Sequence, residues 1–287
     1  MPEPQRISTV AAMQDQSETW RYEGLRIGLV PTMGFLHEGH LSLVDYSLAH
    51  TDRTVVSIFV NPLQFGPKED LTFYPRDIDR DLYLLNQRGV DAVFYPETLE
   101  FYPPNFSTFV EVQELTIGLC GAFRPGHFRG VTTVVAKLFN AVRPHLAVFG
   151  QKDYQQSAII RRLVNDLNLN LSIEVSPTIR ETDGLAMSSR NINLSDGERR
   201  RAPALYRAIV MGKERIEKGQ RDATAIIADM RATIERDLTT DIDYISIVHP
   251  DTLVQVTEIT GPVVIAIAVQ MAKVRLVDNT SASPPTK

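Results

Sequence analysis

Between residues 27 and 177 short apolar runs alternate with amphipathic ones, and no other feature of the chain constrains its fold as much. "IGLV" (27–30), "TVVSIFV" (54–60), "DAVFYP" (91–96), "LAVFG" (146–150) and "LSIEVSP" (171–177) read as strands. The second is β-branched and continuously apolar, the signature of a strand buried on both faces. Residues 40–50, "RDIDRDLYLLNQRG" (76–89) and "DYQQSAIIRRLVNDL" (153–167) have helical spacing, with Gly89 placed as a C-cap. "VTTVVAKLFNAV" (131–142) fits helix or strand on composition, and its length and preceding glycine favour helix. This strand–helix rhythm indicates a parallel sheet with helices on both faces.

The character changes near residue 180. "RETDGLAMSSRNINLS" (180–195) is polar, has little periodicity and reads as a loop. Two helical stretches follow, about 196–218 and 222–238, and then the strands "DYISIVH" (243–249), "GPVVIAIAV" (261–269) and "KVRLVDN" (273–279). Helices followed by strands predict a smaller α+β domain with an antiparallel sheet, so we divide the chain into residues 1–178 and 179–287. The tail "NTSASPPTK" reads as frayed. The most apolar stretch, "GPVVIAIAVQMA" (261–272), falls short of the ~20 residues that span a bilayer.

Composition excludes several classes. With 43% hydrophobic and 23% charged residues, the 287-residue chain reads as soluble and globular. A net charge of −5 argues against a general nucleic-acid binder. One cysteine, Cys120, excludes an intramolecular disulfide and fits a reducing cytoplasm. Nothing at the N-terminus looks like a signal peptide, and no membrane association is expected.

Five segments carry candidate chemistry. "PTMGFLHEGHLSLV" (31–44) joins a strand to a helix and places His37 and His40 three apart. A helix start at the carboxyl end of a parallel strand suits phosphate, and glycines let the backbone approach closely. Metal binding is the rival, but HExxH sites space their histidines by four, and no Cys or acidic cluster accompanies this pair. A packed turn without chemistry is the third reading. In "FVNPLQFGPKEDLTFYPRD" (59–77), Gln64 can donate and accept towards a hydroxyl and a carboxylate; equally, Asn61 and Gln64 can satisfy loop backbone. "RPGHFRGVTTVVAKLFN" (124–140) brackets a basic and aromatic segment with Gly126 and Gly130; it lines a pocket with Val134 and Val135 or anchors a loop, with His127 structural. In "VFGQKDYQQ" (148–156) a strand ends at Gly150, Lys152 is a plausible phosphate partner, Asp153 can cap the next helix, and Gln156 follows one turn along. "LAMSSRN" (185–191) offers two hydroxyls and a guanidinium that could wrap phosphates, or it is an ordinary polar loop.

In this order and spacing the five segments, with "RLVDN" near the C-terminus, resemble the pantothenate synthetase (pantoate–β-alanine ligase) family over about residues 5–279. The HxGH segment alone is shared with many nucleotidylyl transferases. The resemblance implies a Rossmann-like, doubly wound parallel sheet with a smaller C-terminal α+β domain that lids the site. It implies a cytoplasmic homodimer that condenses (R)-pantoate with β-alanine through pantoyl adenylate, using ATP and Mg²⁺ and releasing AMP and pyrophosphate. It places Met33, Gly34, Phe35, Leu36, His37, Glu38, Gly39 and His40 on ATP, with His37 and His40 at the phosphates and His40 as proton donor. Gly150, Gln151, Lys152 and Asp153 would also hold ATP, Lys152 at phosphate and Asp153 at ribose, while the Ile179 backbone meets adenine. Met187, Ser188, Ser189 and Arg190 would form a mobile phosphate loop. Gln64 and Gln156 would bind pantoate, Gln64 also placing β-alanine. No residue is singled out as a metal ligand, because the acidic run Asp77, Asp79 and Asp81 fits an amphipathic helix face at least as well. Phe35, Phe123, His249 and Ala272 depart from the family pattern without removing an assigned residue.

Overall fold

The computed structural model describes residues 3–67, 69–237 and 240–285. They form two compact units. The first takes in the chain to Val112, Arg124–Gln151 and Ile159–Pro177; the second holds Gln113–Phe123, Lys152–Ala158 and the chain from Thr178. Two short segments upstream of residue 178, Gln113–Phe123 and Lys152–Ala158, thus group with the C-terminal part rather than following a single cut.

The strands of the first unit are β1 (Gln5–Ile7), β2 (Ile27–Thr32), β3 (Arg53–Ile58), β4 (Ala92–Phe94), β5 (Leu146–Gly150) and β6 (Ser172–Ser176). Its helices are α1 (Val10–Tyr22), α2 (Glu38–His50), α3 (Ile78–Arg88), α4 (Thr98–Phe101) and, after α5 (Cys120–Phe123) of the second unit, α6 (His127–Val142). The helix α7 (Tyr154–Asp166) carries the division between the units within it. The sheet is parallel throughout, in the order β1-β4-β3-β2-β5-β6. From β2 the chain winds outward to β3 and β4, then returns to the other side of β2 for β5 and β6. That reversal makes a doubly wound sheet with its switch point between β2 and β5.

Side chains alternate across the sheet, so consecutive strand residues serve different faces. Val30, Val56, Val93 and Val148 cluster with Leu41 and Val44 of α2 and with Leu82 and Leu85 of α3. The helices α1 and α6 pack on each other and on β2. α6 buries residues around most of its circumference, which explains why its composition fits two element types. β1 and α1 have no counterpart in the periodicity reading, β1 because three residues leave no period to detect.

The second unit contains α8 (Asp196–Arg201), α9 (Ala204–Glu217), α10 (Ala223–Asp237) and the antiparallel strands β7 (Asp241–Val248), β8 (Val263–Met271) and β9 (Val274–Ala282). The stretch read as one helix over 196–218 breaks before Pro203, whose ring removes an N–H donor. Leu205, Ile209, Ile216, Met230 and Ile234 of the helices pack against Ile245, Ile247, Ile265 and Ile267 of the sheet. The apolar run 261–272 is therefore a core strand. The tail is not frayed as far as Ala282, because Asn279–Ala282 pair with Val263–Ala266; Thr286 and Lys287 lie outside the described residues. Two departures from the family pattern fit their places. Ala272, in the β8–β9 turn, takes φ 48°, which a glycine would adopt without strain. His249 Nδ1 accepts the Asp251 N–H at 3.2 Å, a bond that an aspartate could make there.

At the amino-terminal edge of the first sheet, His145 joins β5 to β2. Its Nδ1 accepts the Ile27 N–H at 2.9 Å, and its own N–H donates to the Ile27 carbonyl at 2.7 Å. Burial, then the charges of Arg21 and Arg26, hold its pKa below the ordinary value, with Asp52 opposing. Below about pH 6.5 the unfolded chain takes up a proton that the folded ring resists. Stability from this group is complete above that pH and falls as the pH drops through it. Urea unfolding at pH 7.5 and 5.5 should show the loss in the parent protein. It should be smaller in His145→Asn, whose carbonyl accepts the same N–H without titrating.

Candidate active site

β2 ends at Thr32, on the carboxyl edge beside the switch point, where open α/β sheets bind ligands. Thr32 Oγ1 donates to the Ser57 carbonyl at 2.8 Å and accepts the Gly34 N–H at 3.2 Å. The chain then turns through φ 81° at Gly34 and φ 51° at Phe35, the second a conformation that a side chain resists. What holds it is Asp81, from α3. One carboxylate oxygen accepts the Phe35 N–H and the other the Leu36 N–H, both at 2.7 Å. The adjacent Arg80 donates to the Leu36 carbonyl at 2.9 Å and lies over the Phe35 ring at 5.1 Å from its centroid. Asp81 is 1% exposed. Burial pushes its carboxyl above the usual range, while the two N–H groups and Arg80 pull it down. The sequence carried a signal for it: Asp81 stands with Ile78, Leu82 and Leu85 at apolar-face spacing, where a solvated carboxylate has no place.

α2 starts at Glu38 with His37 as its N-cap. His37 Nδ1 accepts the Gly39 N–H at 3.1 Å, and His40 Nδ1 accepts the His37 N–H at 3.3 Å. The two rings lie 4.1 Å apart, tilted by 39°. The pair thus caps its own helix as a reciprocal box. A ring that accepts at Nδ1 is neutral and carries its proton on Nε2. Glu38 pairs with Arg88 at 3.2 Å on the surface.

Gln64 sits in a built cluster. Asn61, 1% exposed, donates from Nδ2 to Gln64 Oε1 at 3.1 Å and to the Gly130 carbonyl at 3.0 Å. Its Oδ1 accepts from Tyr102 Oη at 2.9 Å and from the Leu63 N–H at 3.3 Å. Gln64 Nε2 approaches Met33 Sδ at 3.0 Å, linking this loop to the one after β2. Beneath it, His127 Nδ1 and Arg124 both meet the Gln64 carbonyl, at 2.8 and 3.3 Å, and Arg124 forks onto Glu69 at 2.6 and 2.7 Å. Burial raises the Glu69 pKa, but the Arg124 bonds and charge, with the Gly66 backbone and His127, together leave a net lowering. Asn61 and His127 thus both bond main chain around Gln64. Val134 and Val135 are buried in α6.

A cavity of about 310 Å³ opens against Met33 and Gly34, walled by Phe59, Arg76, Asp81 and Tyr95. β5 ends at Gly150, and a 3-10 turn, Gln151–Asp153, follows. In the second unit, Lys152 Nζ lies 3.7 Å from Asp153 Oδ2. Gln156 is half-buried, while its neighbour Gln155 is buried and binds the Leu115 and Gly118 carbonyls and the Cys120 N–H.

The loop over 180–195 has more order than its polarity predicts. Arg180 and Ala186 form an antiparallel bridge, Met187 N–H donates to the Ile179 carbonyl at 3.0 Å, and Ser189–Asn193 is a 3-10 turn capped by Ser188. Lys152, Ser188 and Asp278 line one small cavity of about 10 Å³. Among the described residues no group of three or more His, Cys, Asp or Glu is placed to hold a metal.

A doubly wound sheet with a helix start at its switch point is the architecture of a nucleotide-binding α/β protein. Its family profile match is specific: "Pantoate-beta-alanine ligase" aligns with residues 5–281. The chain belongs to that family. It is 51% identical to the pantothenate synthetase of Caldicellulosiruptor bescii over 95% of its length and 97% of the relative. It is 54% identical to that of Thermosipho melanesiensis, again over 95% and 97%. Among solved structures, the Thermus thermophilus pantothenate synthetase matches with TM-score 0.91 and 43% identity, covering 96% and 98% of the two chains. The Francisella tularensis pantoate–β-alanine ligase, complexed with β-γ ATP and β-alanine, matches with TM-score 0.79 and 31% identity, over 96% and 97%.

Gly130 makes the Gln64 cluster possible. A Cβ there would lie 2.3 Å from the Leu63 carbonyl oxygen and 2.7 Å from the Gln64 nitrogen, backbone atoms that cannot step aside alone. Gly130→Ala should cost about 1–3 kcal/mol as overpacking. Gly150→Ala, whose Cβ meets nothing within 4 Å, is the control. Thermal melts should place the first several degrees below the parent and the second within about a degree of it.

Proposed function

We propose that this protein joins pantoate to β-alanine with ATP and forms pantothenate. Membership of the ligase family over residues 5–281 carries the reading. The histidine-capped turn at the switch point, linked through Met33 to Gln64, supports it.

In the proposed sequence a pantoate carboxylate oxygen attacks the α-phosphorus of ATP. The bond to the bridging oxygen breaks, and pyrophosphate leaves with that electron pair. The β-alanine amine then attacks the acyl carbon of pantoyl adenylate, AMP departs with the C–O electrons, and the amine nitrogen loses a proton. Negative charge grows on the α-phosphate oxygens and on pyrophosphate, so positioned donors and cations are what the first step requires. His37 and His40 supply Nε2–H donors in this reading, and Lys152 and Arg190 supply positive charge. His40 acts as a neutral hydrogen-bond donor, because giving Nδ1 a proton would break the cap at the His37 N–H. Met33–Leu36, Glu38, Gly39, Gly150, Gln151 and Asp153 hold the nucleotide, the Ile179 backbone meets adenine, and Met187, Ser188 and Ser189 complete the phosphate loop. Gln64 and Gln156 hold pantoate.

Mg²⁺ would enter on the ATP phosphates and keep waters of its own, as this ion commonly does. A chain without an acidic cage among its described residues fits that mode. The ion would supply further charge neutralisation there. A homodimer acting in the cytoplasm belongs to the same proposal, as does the assignment of the nucleotide and pantoate to the N-terminal domain and of a lid to the C-terminal one.

AMP release should require ATP, pantoate and β-alanine together; formation of ADP, or of a stable dinucleotide, overturns the reading. Asn places an acceptor near the Nδ1 position, whereas Gln can place a donor near Nε2. His40→Asn should therefore keep the parent melting temperature yet lose about 10²–10³-fold in adenylate formation, the size of a lost oxyanion donor. His40→Gln should melt lower and keep more activity. The reverse order would rule out His40 as the Nε2–H donor.

A further inference from the structure

β9 places two polar side chains, Asp278 and Asn279, where each is only 4% exposed. Neither serves the apolar core of the second unit. Asp278 takes a bidentate pair from Arg180, at 2.6 and 2.9 Å. Arg180 opens the hairpin that leads to Met187 and Ser188. Its Nη1 also donates to the Gly184 carbonyl at 3.1 Å, and its guanidinium lies over the Tyr206 ring at 4.4 Å. Gly184, at φ 91°, leaves room for that ring, since a Cβ would lie 2.0 Å from Tyr206 Cδ1. Asn279 reaches the other phosphate segment: its Nδ2 donates to the Lys152 carbonyl at 2.7 Å. The Asn279 N–H returns to Asp278 Oδ1 at 2.7 Å, joining the two bonds. Successive residues of one strand thus hold the backbone of Lys152 and the base of the 180–190 hairpin.

We propose that Asp278 and Asn279 are positioning residues for adenylation, setting Lys152 and the Ser188–Arg190 segment in mutual register on β9. The proposal rests on reading Lys152 as a phosphate-handling group. β9, paired with β8 along its whole length, is a stiff reference, and fixing a charge on it removes reorganisation from the reacting step. Displacement of a positioned group by about 1 Å can cost 10²-fold in rate. Asp278 acts through Arg180, and Asn279 through the Lys152 main chain.

The test is a double-mutant cycle on pantoate-dependent exchange of pyrophosphate into ATP, using Asn279→Ala and Lys152→Ala in the full chain. Asn279→Ala should lower the exchange rate about 10- to 100-fold, with the KM for pantoate unchanged. In the Lys152→Ala background it should have almost no further effect, because the proposed route runs through the Lys152 side chain. A purely structural role would instead multiply the two losses. Arg180→Lys, which keeps the charge and loses the fork, should lower the exchange rate without moving the pantoate KM. Full exchange by Lys152→Ala would sink the underlying reading of Lys152. A crippled Lys152→Ala beside a fully active Asn279→Ala, or multiplied losses, would sink the positioning role alone. If Asn279→Ala does not fold, Asn279→Thr suits a strand and lacks the amide; failure of both to fold makes the residue structural and also overturns the proposal.

Discussion

β2 is hydrogen-bonded to β3 on one side and β5 on the other, both parallel, and the first unit is organised around that double pairing. Parallel neighbours require crossovers, so helices must cover both faces and the strands between them must be apolar. The winding sense reverses at β2, and the connections on either side of it leave in opposite directions. This opens the carboxyl edge between β2 and β5. The loop at Met33, the histidine-capped start of α2 and the chain at Gly150 all lie on that edge.

Around this edge, side chains hold main chain. Asp81 fixes the turn after β2 through two N–H groups, Asn61 and His127 fix the loop carrying Gln64, and Gly130 lets α6 come close enough for the Asn61 bond. Asn279 does the same for Lys152 in the second unit. Asp81, Asn61, His127 and Asn279 are buried polar side chains that each bond to main chain, which offsets part of the cost of burying them. Preorganisation of this kind limits the reorganisation left for the moment of reaction, and phosphoryl-type chemistry gains most from that.

The histidine pair illustrates how one arrangement serves fold and chemistry together. Reciprocal Nδ1 caps satisfy donors that a helix start leaves orphaned, and the same bonds fix the tautomer. The helix cap therefore orients the Nε2–H donors that the proposed reaction uses.

Periodicity, β-branched runs and terminal glycines made the main strands and helices legible, because burial and local backbone preference leave marks on consecutive residues. The five polar segments and their spacing made the family legible in the same way. The marks fail where an element is too short for a period, as in β1, or where one residue interrupts a helix, as Pro203 does between α8 and α9. The sequence by itself determined the element types, the parallel class of the larger sheet and the identity of the HxGH histidines. Only the tertiary structure decided that Asp81 holds the Phe35 turn, that Gly130 abuts Leu63, and that Asn279 reaches Lys152. Those partners lie 46, 67 and 127 residues apart, and the strand order and helix packing that bring them together are fixed by burial of the whole chain rather than by any local pattern.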